Sequence, residues 1–203
     1  SLGEDLSQVY GVENVVAVDT FDYPLGALRQ ADGGVGWAKP WQTSRVAPAV
    51  VIAWPVASKK TSMRTPHSLL IQGTGARNNP VRRELKEPLT QKELFVRFDL
   101  RYQADPANGS QQVDPEFFVL WLDRLDGGDG ATHASNVPNI GVHLADRGPK
   151  KGKNVFMVRI GPAQTAWSKI ELQADRTYQI LGRLTKTSDG PRAEYDRFDM
   201  WVD

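Results

Sequence analysis

The sequence predicts an all-β protein, a two-sheet antiparallel β-sandwich of the jelly-roll kind. Three observations predict it. Residues 93–103, ELFVRFDLRYQ, alternate apolar and polar side chains with a period of two, as a strand with one face on a core must. About ten such segments, of roughly five to eleven residues, follow one another between loops rich in Gly, Pro and Asn. Apolar residues nowhere recur at i, i+3, i+4 and i+7 behind a capping box, so no helix is expected.

The totals narrow the function. The 203 residues, without internal repeats, read as a single domain over 1–203, with 1–12 as a flexible N-terminal lead. Basic and acidic residues number 25 and 24, a net charge of +1. Counterion-release binding needs a basic excess, so nucleic acid is not an expected partner. No apolar run approaches the roughly 18–20 residues of a membrane span, so this segment is not expected to insert into a membrane. Cysteine is absent, which excludes a disulfide framework, a thiol nucleophile and a thiolate metal site. The text opens at Ser1 without an apolar leader and stops just after Met200, Trp201 and Val202, so it reads as a piece of a longer chain with neighbouring domains.

In chain order, Val15 to Asp22 (VVAVDTFD) reads as the first strand. A Gly- and Pro-rich loop follows, in which Gly33, Gly34 and Gly36 allow positive φ and let the chain fold back to seat Trp37. Val50–Trp54 and Ser68–Gln72 are short apolar strands, and Asn78–Glu87 is a charged edge segment with Pro at both ends. After Glu93–Gln103 and a polar loop comes Asp114–Asp123, with the run Phe117 to Leu122 apolar at every position. Both alternating sets are apolar, so this is expected to be the central strand, covered on both faces. Ile140–Leu144, Val155–Ile160, Tyr178–Thr187 and Tyr195–Val202 complete the strands, with Trp167–Leu172 a short exposed connection.

Alternation also assigns the outward faces. Arg97, Asp99 and Arg101 share one side of their strand; Tyr195, Arg197, Asp199 and Trp201 share one side of the last. With Trp121, which points either to the core or to a binding face, these are the candidate ligand residues of a concave sheet. Rings stack on the apolar faces of sugars, while Arg and Asp bond hydroxyls. The same pattern fits an outer face laced with cross-strand ion pairs. Of the six tryptophans, Trp37 and Trp41 are the candidates for an exposed stacking pair in a loop.

No catalytic residue is assigned. A glycosidase needs two carboxyl groups about 5–5.5 Å or 6.5–9.5 Å apart. Asp99 and Asp199 have arginines as same-face neighbours, which lower a carboxyl pKa, the opposite of what a general acid requires. Carboxylates paired across strands remain as the alternative, polysaccharide hydrolysis or lysis. His67, His133 and His143 lack metal-ligand spacing. The loop with Asp126 and Asp129 has the composition of a calcium site without the helix–loop–helix spacing, and Asp19 and Asp22 are equal candidates for a structural calcium.

FDYPLGALRQADGGVGW, VPNIGVHLAD, NVFMVRIG and RTYQILGRLTKT with YDRFDMWVD together resemble the concanavalin A-like, laminin-G-like jelly-roll modules of large exported proteins of planctomycete-type bacteria. The resemblance spans about Val15 to Asp203 and rests on structural motifs. It implies a two-sheet sandwich with an extracytoplasmic life, at the cell surface or in the periplasm. It does not imply catalysis: the glucanase branch of that superfamily carries E-x-D-x-x-E, and the counterpart here, EFFVLWLD from Glu116 to Asp123, is apolar where the carboxylates belong. The expected function is therefore a non-catalytic recognition module for carbohydrate or a cell-surface protein, with a structural or adhesive spacer as a further alternative.

Overall fold

The structure is a computed structural model describing residues 15–43, 49–54, 67–72, 79–103, 117–124, 137–161 and 163–203. Among these residues there is no helix, and every strand pairing is antiparallel. Contacts group the chain into two compact units, Ser1–Leu89 and Thr90–Asp203.

The first unit holds β1 (Gly26–Ala27), β2 (Gln42–Thr43), β3 (Ala49–Ala53), β4 (His67–Ile71) and β5 (Val81–Arg82). β1, β3 and β4 form one sheet, and β2 pairs with β5. Leu28, Ala49 and Val51 are its buried centre, with Phe21, Tyr23, Trp41, Leu69 and Val81 packed around them. The strand expected over Val15–Asp22 is reduced to a bridge between Val18 and Val35. The cause is local: the Asp19 carboxylate accepts the Phe21 N–H, and Phe21 sits at φ 55°, which turns the chain before a ladder can form. Gly34 and Gly36 do have positive φ, and a β-carbon at Gly36 would lie 1.9 Å from the Val16 carbonyl oxygen. That close approach lets the Trp37 indole N–H reach the carbonyl of Val18 at 2.9 Å.

The second unit is a sandwich. One sheet runs in the order β10 (Gln164–Glu171), β9 (Asn154–Gly161), β8 (Asn139–Leu144), β7 (Phe118–Trp121). The other runs β12 (Arg197–Val202), β11 (Thr177–Thr185), β6 (Glu93–Arg101). Ile140, Val142, Phe156 and Val158 from the first meet Tyr178, Ile180, Leu184 and Phe198 from the second in one buried cluster, which Leu94, Val96, Phe98 and Leu100 of β6 extend. Burying each such large side chain contributes about 1.5–3 kcal/mol. The sheets approach closely at Gly182, where a β-carbon would lie 2.8 Å from Ile140 Cδ1 and from Phe198 Cε2.

Two expectations are corrected here. Phe118–Trp121 is an edge strand among the described residues, because β7 pairs with β8 alone. The strand buried on both faces is β9, where every residue from Asn154 to Val158 is buried. Trp167–Leu172 is largely strand: β10 pairs with β9, and two register shifts, at Gln164/Thr165 and Trp167/Glu171, break the alternation that would have announced it.

Candidate binding face

Register decides which side chains share the outer face of the β12, β11, β6 sheet. The odd-numbered residues of β6 lie opposite the odd-numbered residues of β11, and these lie opposite the odd-numbered residues of β12. The even-numbered ones supply the core. Successive cross-strand rows are therefore Arg97, Leu181 and Trp201; Phe95, Arg183 and Asp199; Glu93, Thr185 and Arg197. The expected meeting of Arg97, Arg197, Asp199 and Trp201 on one outward face is what the pairing produces. Trp201 and Phe95 are each 49 % exposed, unusual for rings in strands of a packed sandwich.

Asp199 is the electrostatic hub. Arg183 donates to it from Nη2 at 2.8 Å and from Nε at 3.3 Å, and Arg197 Nε donates at 2.9 Å. The bonds from Arg183, then those from Arg197, hold the Asp199 carboxyl below its ordinary range. Arg183 also lies over the Trp201 ring, 5.5 Å from its centroid, and 3.9 Å from Glu93. Arg97 is exposed, and no carboxylate among the described residues lies within ion-pair distance of it.

Asp99 behaves in the opposite way. It is half-buried, and its Oδ1 is sealed from water without a hydrogen-bond partner. Burial raises its pKa, against a smaller lowering by Arg97. A carboxyl with a folded pKa above the unfolded one costs stability at neutral pH, and the cost disappears as pH falls through the folded pKa. Asp99→Asn is thus expected to raise the melting temperature at pH 7 and to leave it unchanged at a pH below the carboxyl range. Melting curves at the two pH values check this, and equal shifts at both would remove the titration as cause.

Several residues expected in the site lie elsewhere or are otherwise engaged. Tyr195 precedes β12, so strand alternation does not govern it; it packs on the sandwich core and its hydroxyl donates to the Gln91 carbonyl at 2.7 Å. Arg101 keeps its place on the outer face, opposite Thr177, but is engaged by the Asp175 turn, donating to the Asp175 carbonyl oxygen and, at 3.0 Å, to its carboxylate; Asp175 sits at φ 63°. Trp121 belongs to the other sheet, paired with Asn139 and turned away from the core that takes Leu120 and Leu122. Phe95, Leu181 and Arg183 join the face instead. Phe95 shares the parity of Arg97 in the sequence, but only register assigns Leu181 and Arg183 their places.

Trp37 and Trp41 are not an exposed pair. Both are half-buried in the first unit, 6.0 Å from each other, and the Arg83 guanidinium packs against both, 5.1 and 5.5 Å from their centroids. Arg83 donates to Asp19 and Asp32, and the Asp19 carboxylate also accepts from Tyr23 Oη at 2.5 Å and Trp41 Nε1 at 2.7 Å. The oxygens of Asp19 are thus committed to protein donors, which argues against its role as a calcium ligand. Asp22 is 76 % exposed and 3.8 Å from His67. Asp126 and Asp129 lie outside the described residues. Among the described residues no three acidic or imidazole side chains converge as a metal site.

Fold and face together define the class: an antiparallel β-sandwich protein with an outward face of arginines and rings. No protein-family model, curated protein or solved structure matches the chain.

Proposed function

We propose that the chain is a non-catalytic recognition module, of the jelly-roll and concanavalin A-like kind, that binds carbohydrate through the outer face of β6, β11 and β12. The observation that carries this reading is Trp201, half exposed near the end of β12, opposite Leu181 and under Arg183. An indole held at a sheet surface offers a flat apolar plate to a pyranose, and the guanidinium beside it fixes the plate and bonds hydroxyls. A single plate of this size gives weak affinity, so useful binding comes from several modules in a longer chain. The resemblance noted above supports an exported setting, at the cell surface or in the periplasm, beside other domains.

A glycan array with and without calcium tests the reading. Trp201→Ala is expected to lose tenfold or more in affinity with the melting curve unchanged. An array empty for the wild-type chain would favour the spacer or adhesive alternative.

One row favours a second reading, hydrolysis by cross-strand carboxylates. Asp203 exchanges both backbone hydrogen bonds with Gln179, which pairs with Asp99 on its other side. Two strand spacings put the Asp99 and Asp203 backbones about 9.5 Å apart, at the upper edge of the inverting separation. Release of reducing ends from a bound polysaccharide, lost in Asp99→Asn, would decide for it.

A further inference from the structure

The outer face distributes its charge unevenly. Two guanidiniums, those of Arg183 and Arg197, donate to one carboxylate, Asp199. Glu93, 3.9 Å from Arg183, is the second acid of that cluster, so its two acids balance its two guanidiniums. Arg97 stands in the next row without an ion-pair partner among the described residues, exposed, in register with Leu181 and Trp201. Its nearest acid, Asp99, is half-buried with one oxygen sealed from water. A planar guanidinium left open beside an exposed ring matches a ligand that carries an anionic group and an apolar ring face together.

We infer that this face selects acidic polysaccharide, with one sugar ring on Trp201 and the carboxylate or sulfate of the same or the adjacent unit on Arg97. The inference rests on the recognition reading and narrows it to a ligand class. Arg97 and Trp201 are separated by two strand spacings, about 10 Å, a gap that neighbouring units of one polymer can bridge with a long arginine reaching inward. The charge that matters is local, since the whole chain is nearly neutral.

The test uses the full chain in affinity electrophoresis at about 0.15 M salt. Gels contain polygalacturonate, a sulfated galactan, a neutral β-glucan or single-stranded DNA. The two acidic polymers separately report carboxylate and sulfate as the source of the charge. Retardation by one or both, well above that by the neutral glucan and by DNA, is expected. Arg97→Ala should weaken it about ten- to hundredfold, the loss of one charge-assisted contact. Arg97→Lys should recover part of the binding, because the charge remains without the bidentate fork. Lys169→Ala, which removes the same charge from exposed β10, should change nothing. Equal binding of the neutral glucan, unchanged binding by Arg97→Ala, or equal retention by DNA would overturn the acidic selection while leaving a carbohydrate module in place. If no polysaccharide of any charge is retained, the recognition reading fails and takes this inference with it.

Discussion

Replacing Arg83 by alanine is expected to destabilise the first unit by about 3–5 kcal/mol, the cost of leaving one partner of a buried ion pair uncompensated. The Arg83 and Asp19 side chains are only 2 % and 4 % exposed. The guanidinium satisfies Asp19, Asp32, the Tyr23 hydroxyl and the Lys39 carbonyl, and packs against two neighbouring indoles. Without it, Asp19 keeps the Phe21, Tyr23 and Trp41 donors but loses its countercharge in a place water does not reach. Arg83→Lys should recover only part of the loss, since an ammonium lacks the fork that reaches two acids and a carbonyl. Arg83→Met with Asp19→Asn should be less damaging than the sum of the two single changes, because removing both charges is far cheaper than stranding one. Denaturant unfolding followed by tryptophan fluorescence reads all five variants, with Trp37 and Trp41 as local reporters. A loss below about 1 kcal/mol for Arg83→Ala would place the pair in the class of solvent-exposed bridges.

The reach of the sequence is visible in this same knot. Gly34 and Gly36 announced a folded-back loop that seats Trp37, because positive φ leaves a chemical signature one residue wide. Arg83 left none: it contacts Asp19 across 64 positions, and no local pattern marks an arginine for burial against rings. For the same reason Trp37 and Trp41, read as surface plates, turned out to be the walls of a cation site. In the second unit, the period of two in Glu93–Arg101 assigns the two faces as the register does, although exposure alternates only as far as Arg97. Where alternation ceased to hold, the reading failed. Tyr195 lies two residues before β12 begins, and the shifts in β10 hid a whole strand. Sheet order was beyond reach, since an apolar run signals burial but not whether a second neighbour pairs with it. The run therefore suggests a central strand at β7, whereas β9 is the one covered on both faces.

Phe156→Ala is expected to cost the second unit about 3–5 kcal/mol, the range for a large aromatic removed from a packed core. Phe156 is fully buried on β9, and its ring centroid lies 4.7 Å from that of Tyr178 on β11, so the pair joins the two sheets. Tyr178 has little freedom to collapse into the space: its hydroxyl accepts the Gln173 N–H at 3.0 Å and donates to the Glu171 carbonyl at 3.3 Å. At Gly182, moreover, the sheets already touch without room for a methyl group, which limits how far they can close on a cavity. Urea unfolding should show the midpoint lowered with the slope unchanged, as for a change in stability alone. A loss under about 1 kcal/mol would mean that the two sheets do not share a core. Trp201 and Arg97 occupy the opposite side of the same three-stranded sheet, at exposed positions, so their substitution should leave that midpoint where it is. That separation makes the binding measurements interpretable: affinity lost in Trp201→Ala or Arg97→Ala at constant stability reports on the face, whereas affinity lost in Phe156→Ala reports on the sandwich that holds it flat.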